Sequence, residues 1–438
     1  MPASPGSTPS NVPLSGYCVR ITKGTTPTTT GRRFVPFGVN FVKSEAITHN
    51  GRIDPSSFAF IDADTHFALA RSILEEGDVL FSMAGVYLGK TAVVPKSILP
   101  ANTNQAVGII RIDHSRADPR FIHYALSSSE TRSYVNRSVA QSAQPNYNLA
   151  DIGSLRIPEF ALSKQRSIAD ILGVLDDKIE LNRRTNETLE AIARALFKSW
   201  FLDFDPVRAK AEGRQPSGMD AETAKLFPRE FVDSELGPIP KGWSIGNISD
   251  VATNRRDTIH PSDVTPGSVY VGLEHLPRGR VLFEATGKPD NLESLKAQFS
   301  SGEVLFGKLR PYFKKVAIAP CGGICSTDIL VLSPHAKNIA FVGLLAASDP
   351  FIEHAVGLSD GTRMPRMSWE QLTRFPVVIP GPELLHVFEG RCSPLFERAE
   401  APRRESGALA ALRDELLPRL LSGELSVADT ESVVESQL

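Results

Sequence analysis

Two stretches of this chain, 225 residues apart, repeat one another: GDVLFSMAGVYLGKTAVVP from Gly77 and GEVLFGKLRPYFKKVAIAP from Gly302. Each reads as an apolar strand, a polar turn and a second strand. AQPNYNLADIGSLRIP from Ala143 is then answered by RMPRMSWEQLTRFPVVIP from Arg363, at an offset near 220. VLDDKIELNRRTNETLEAIARALF from Val174 is answered by PLFERAEAPRRESGALAALRDELL from Pro394, again at 220. Such an offset is far longer than a solenoid period of roughly 20–50 residues. The order is globular, helix, globular, helix. The chain is a tandem duplication of a domain plus its helix, and pseudo-twofold symmetry is expected.

The expected class is α+β: two tandem globular domains of mixed α/β structure, separated by two long helices that pair as an antiparallel coiled-coil spacer. The first globular domain occupies residues 1–160, with 1–12 a disordered leader, and the first long helix 161–203. A linker covers 204–238, the second globular domain 239–381, the second long helix 382–425 and a tail 426–438. The linker, rich in Pro, Gly and charge, must return the chain from the far end of the helix to the second domain.

The first helix has a seam at Ile168, Leu172, Leu175, Ile179, Asn182, Asn186, Leu189, Ala193, Leu196 and Trp200, in steps that alternate four and three. That is a heptad stripe. Ser163 is the expected N-cap, with Pro158 upstream where a strand ends. About 33 residues at ~1.5 Å each make a rod of roughly 50 Å. The second helix offers Leu395, Ala399, Leu409, Leu412, Leu416 and Leu420, and Pro402 is expected to kink or interrupt it. A rod of this length cannot bury its stripe alone, and its natural partner is its own duplicate. Asn182 and Asn186 form a polar notch. Either they set the register of the pair, or they mark a solvated or partner-facing stretch. A spacer of ~50 Å corresponds to roughly 15 base pairs of B-DNA at ~3.4 Å per step, so two heads so held would read two half-sites around an unread gap.

LSKQRSIADILGVLDDKIELNRRTNETLEAIARALFKSWF closely resembles the central conserved helical region of specificity subunits of type I restriction–modification systems. KGTTP from Lys23, GDVLFSMAG and GEVLFGKLRPY resemble parts of their target-recognition domains, and LRDELLPRLLSGEL from Leu412 resembles their closing helix. The resemblance covers essentially the whole chain, and its helix motif is the specific part. It implies a non-catalytic subunit whose two domains each read half of a split DNA target in the major groove. It also implies double-stranded DNA, two adenine methyltransferase subunits and a motor-nuclease subunit as partners. S-adenosylmethionine and ATP are then expected on those partners, with no cofactor and no metal in this chain. A cytoplasmic location and no membrane are expected from the few cysteines, the lack of an apolar span and the lack of a signal-peptide core. There are departures. Gln165 matches the Gln early in the family helix, but Leu385 stands at the equivalent place in the second copy, and Pro402 breaks the second seam.

Composition neither opposes nor forces this reading. Net charge is -2 over 438 residues. The globular parts sum to +3 and +2 and the helical parts to -2 and -5, an asymmetry that a solvated surface explains as well as a DNA face does. No stretch approaches the ~20 apolar residues of a membrane span, and MPASPGSTPS lacks the apolar core of a signal peptide. Four cysteines are too few for a disulfide framework. Cys321 and Cys325 have CxxxC spacing but no companion ligands, which favours structural thiols over a metal site.

Rival chemistry finds weak support. An adenine methyltransferase needs a Gly-rich cofactor loop and an N/D-P-P-Y/F loop. SDPF at Ser348 lacks the second proline, and Asp349 reads better as a cap. GVYLGKT at Gly85 ends like a P-loop but has three residues, not four, before Gly89. The candidates for DNA contact sit on or beside the repeated turns: Lys90, Gln141, Gln144, Asn146 and Tyr147 in the first copy, and Lys308, Arg310, Lys314, Lys315, Arg363 and Arg366 in the second. Arg suits guanine and Asn or Gln adenine in bidentate pairing, whereas Lys more often meets phosphate. The bland alternative is a solvated surface charge at each position. Met83-Ala84-Gly85 in one copy faces Lys308-Leu309-Arg310 in the other, so the two heads are expected to read different half-sites. The sequence leaves two other functions open: a complete methyltransferase with diverged motifs, and a two-headed protein scaffold with no DNA role.

Overall fold

The computed structural model describes residues 9–48, 50–85, 88–140, 147–283, 286–290, 292–358 and 366–435. The chain divides into two compact units, the first of them discontinuous in sequence. One joins residues 1–178 to 408–438, and the other spans 179–407.

The first unit is built on a four-stranded antiparallel sheet in the order Cys18–Lys23, Val107–Ile112, Val79–Ser82, Thr91–Val93. Its central strands, VGIIRI and VLFS, are almost continuously apolar because both faces are covered. A second, three-stranded sheet sets Val39–Val42 parallel to Ala101–Thr103. Leu80, Ala92, Val107 and Ile109 close a core with Val42, Ile47 and Ile98. Asn11–Pro13 pairs antiparallel with Arg156–Pro158, so the leader does not extend to residue 12. The adjoining Leu14 and Tyr17 are buried and draw this segment onto the domain.

The second unit repeats the plan. Its main sheet runs Ala252–Arg255, Ile329–Pro334, Val304–Gly307, Val316–Ile318, all antiparallel, strand for strand the order of the first. A second sheet again contains one parallel pair, Tyr270–Val271 beside Gly323–Cys325. An aromatic cluster gathers Phe197, Trp200, Phe201, Trp243, Phe341 and Phe388. Segment 204–238 contributes helices Asp205–Ala211 and Ala221–Lys225, and buries Phe227 against Trp200 with ring centroids 5.1 Å apart.

The long helices are Leu162–Phe197 and Pro382–Ser422, of 36 and 41 residues. In the first unit, residues 162–178 lie with 408–422, and Asp176 Oδ1 meets Arg413 Nη1 at 2.7 Å. In the second, residues 179–197 lie with 382–407, and Asn182 Nδ2 donates to Glu405 Oε2 at 2.7 Å. Early turns of one helix thus meet late turns of the other, the order of an antiparallel pair. Ile168, Leu172, Leu175, Leu189, Trp200, Ala399, Leu409, Leu416 and Leu420 are buried, and Ile179, Leu196, Leu395 and Leu412 half-buried. Of the polar notch, Asn182 is buried and satisfied by Glu405, whereas Asn186 Oδ1 is enclosed without a hydrogen-bond partner among the described residues.

Two expectations about helix ends and breaks are corrected. Ser163 lies inside the first turn, because the helix begins at Leu162 and Gln165 N–H already reaches the Ala161 carbonyl at 3.0 Å. Pro402 does not interrupt the second helix, which runs through Pro394, Pro402 and Pro418. A mid-helix proline removes one backbone bond and costs about 3 kcal/mol relative to Ala. Here the flanking Ala399 and Leu409 are buried, and Glu400 pairs with Arg403 and Arg404 across the site.

Each domain clasps a helix by its start. Gln165 is fully buried. Its amide donates to the Phe160 carbonyl at 2.9 Å, and its Oε1 accepts from Asp118 N–H at 3.1 Å, at the cap of helix Pro119–Ser127. In the second copy Leu385 is apolar and buried. Glu389, one turn later, accepts from Ala340 and Phe341 N–H at 3.0 and 2.9 Å, at the start of helix Ile339–Ala346. The clasp survives the loss of the Gln by moving four residues along the same helix face.

Candidate nucleic-acid interface

The repeated hairpins carry the candidate residues on their turns. In the first head the turn after Val79–Ser82 has Gly85 at φ 68° and Gly89 at φ 78°. In the second, after Val304–Gly307, Arg310 and Lys314 occupy the same left-handed region at φ 51° and 50°. Each glycine lies 225 residues before its counterpart, so both ends of the turn keep the left-handed backbone while the residues there change. Glycine adopts this conformation freely; an L-residue with a Cβ pays roughly 1–2 kcal/mol there. Between the strained ends, Pro311–Phe313 forms one 3-10 turn, to which Pro311 lends its fixed φ.

The second head's turn sits in a cationic neighbourhood. Lys314 pairs with Asp349, and the Lys315 ammonium donates to the Leu273 carbonyl. Leu309 bridges to Arg366, whose guanidinium meets Asp328 at 3.0 Å. Burial, then the nearby Arg366, push Lys308 below the usual lysine range, with Asp328 opposing. Arg278 stacks on Phe313, 4.4 Å from the ring centroid. Arg310 is exposed, and its guanidinium makes no hydrogen bond or ion pair among the described residues. Tyr312 at the apex is half exposed. Arg278 and Tyr312 were not singled out from sequence. Arg278 reaches the turn only through a long-range contact that no local pattern announces.

The first head differs. Lys90 is half-buried, and burial lowers its pKa. Tyr147, expected as a contact, is instead an anchor: it is 4% exposed, stacks on Phe81 at 5.9 Å, and burial pushes its phenol up to about 12. Its N–H donates to the Met83 carbonyl at 2.9 Å, and Met367 N–H makes the same bond to Lys308 in the other head. An aromatic ring two residues past Pro145 fills the core because the chain there must be fastened to the hairpin. Gln141, Gln144, Asn146 and Arg363 lie outside the described residues.

The rival motifs take structural places. Asp349 opens helix Asp349–Gly357 and, hydrogen-bonded to Lys314, is held below the usual carboxylate range. After Gly89 the chain enters strand Thr91–Val93, whereas a P-loop opens a helix. Cys325 lies buried on a strand, its thiol pushed up to about 12 by burial. Among the described residues no three His, Cys, Asp or Glu side chains gather where they could hold a metal, and no single helix is long and apolar enough to cross a membrane.

Fold and site together define a duplicated, two-headed protein with paired long helices. Residues 23–191 match the family described as "Type I restriction modification DNA specificity domain". The HindI specificity subunit of Haemophilus influenzae is 26% identical over 415 residues, covering 81% of this chain and 88% of that protein. The MjaIX specificity subunit of Methanocaldococcus jannaschii is 24% identical over 342 residues, covering 75% and 74%. The solved type I S subunit from M. genitalium shares the fold, with a TM-score of 0.50 at 15% identity over 96% of this chain and 98% of that one. The chain is a homologue of type I restriction enzyme specificity subunits.

Proposed function

We propose that this chain is the non-catalytic DNA-reading subunit of a type I restriction–modification complex, with an asymmetric split target. One observation carries the reading: two heads share one sheet order and a left-handed backbone at both ends of the hairpin turn, yet put different residues at those positions. A duplicated scaffold with diverged contact residues suits two different half-sites. The paired helices suit a spacer that fixes their separation, and a surface on which adenine methyltransferase subunits, two of them, and a motor-nuclease subunit assemble. S-adenosylmethionine and ATP belong to those partners, and the complex acts in the cytoplasm.

The test is genome-wide adenine methylation mapping with this chain co-expressed with its methyltransferase, and with each alone. A split motif seen only with both supports the reading. Methylation by this chain alone would make it the enzyme. No motif beside an active partner would leave a scaffold without a DNA role, and a palindrome of identical halves would remove the asymmetry.

A further inference from the structure

We infer that Arg310 is the residue of the second head that selects its half-site, by pairing with a guanine edge in the major groove. This deepens the proposed function and rests on it. The first head puts Gly85 and Gly89 at the same two left-handed positions, so the backbone does not need a side chain at either of them. The second head nevertheless holds two strained non-glycine residues there, and backbone strain maintained at one place points to a side chain required there. Lys314 has a local use, its ion pair with Asp349. Arg310 has none among the described residues: it is exposed and unpaired on the rim of a cluster formed by Arg278, Lys308, Lys315 and Arg366. Those cations suit phosphates, being half-buried, stacked or already hydrogen-bonded. An exposed guanidinium at the end of this turn is the group that fits guanine O6 and N7 with two parallel hydrogen bonds. The first head offers glycines at the equivalent place, so its half-site is read by other groups.

The experiment uses the complex of this chain with its methyltransferase, and duplexes carrying the mapped target. Arg310→Gly removes the guanidinium and relieves the turn. It should keep or raise the melting temperature, leave the first half-site intact, and relax the second at one guanine, with discrimination falling roughly 5- to 100-fold. Arg310→Lys keeps the charge but not the fork, and should lose that discrimination while keeping the salt dependence of binding. Replacing the guanine by 7-deazaguanine, which lacks N7, should weaken the wild-type complex, a readout that does not depend on the folding of any variant, and should leave Arg310→Gly unaffected. An unchanged motif in Arg310→Gly, full discrimination by Arg310→Lys, relaxation in the first half-site, or indifference of the wild type to 7-deazaguanine would each overturn the inference. Absence of any split motif with the wild-type chain would instead overturn the function on which it rests.

Discussion

At the scale of single residues, a buried imidazole makes the first head sensitive to pH. His123 is buried in the first head, with Nδ1 2.9 Å from Thr91 Oγ1. Burial pushes its pKa down to about 4, with Asp176 opposing and Arg132 and Arg413 assisting. The ring is therefore neutral when folded and takes up a proton near pH 6.5 when unfolded. Stability from this group is complete above about pH 6.5 and is lost as pH falls toward 4, a loss of about 3 kcal/mol. Denaturant titrations of the wild type and of His123→Asn between pH 7 and 4 measure it: the wild type should show the steeper decline. Equal slopes would mean that the ring is not held neutral. Arg310 and Lys314 show why the site was only partly legible. Their charge could be read from the sequence, but their left-handed backbone could not, because nothing in the residue types Arg and Lys calls for it. Tyr147 was misread for the opposite reason, since an aromatic in a polar loop looks alike whether it points out or in.

At the scale of elements, the heptad stripe predicted the long helices well, because burial on one face imposes a period that the sequence must keep. What it did not reveal was tolerance to proline. The second helix keeps three internal prolines, and Pro402 sits in its least apolar stretch. Pro402→Ala restores a backbone donor and removes a steric clash, and should raise stability by about 1–3 kcal/mol in a denaturant titration. A lower stability would mean that the proline fits a bend on which the neighbouring contacts depend. The clasp at the helix start was half legible. Gln165 and Leu385 are visible in the sequence as a mismatch, but the transfer of the task to Glu389 emerges only when helix Ile339–Ala346 is seen to present its first N–H groups there.

At the scale of the whole molecule, the duplication was the most legible property, since matched strands and helices at offsets of 220 and 225 leave few alternatives. The composition of each unit was not legible: neither ends where its globular sequence ends. The first is completed by residues 408–438, where Leu409, Leu416 and Leu420 are buried. Deleting 408–438 should therefore unfold the first unit while sparing the second, although the cut falls more than 200 residues from the first head. Hydrogen exchange on the truncated chain measures this: amides of Val107–Ile112 should lose protection and those of Ile329–Pro334 keep it. Protection retained in both sheets would show that the first head stands without its distant segment.

The same discontinuity sets a schedule on the ribosome. About 230 residues separate the first unit's opening segment from the one that completes it. At ~5–20 residues per second that is a wait of roughly 10–45 s. Throughout it the nascent chain carries Ile168, Leu172 and Leu175 without their partner stripe. Newly made chains are therefore most exposed to misassembly, or to holding by a chaperone, before the last thirty residues emerge.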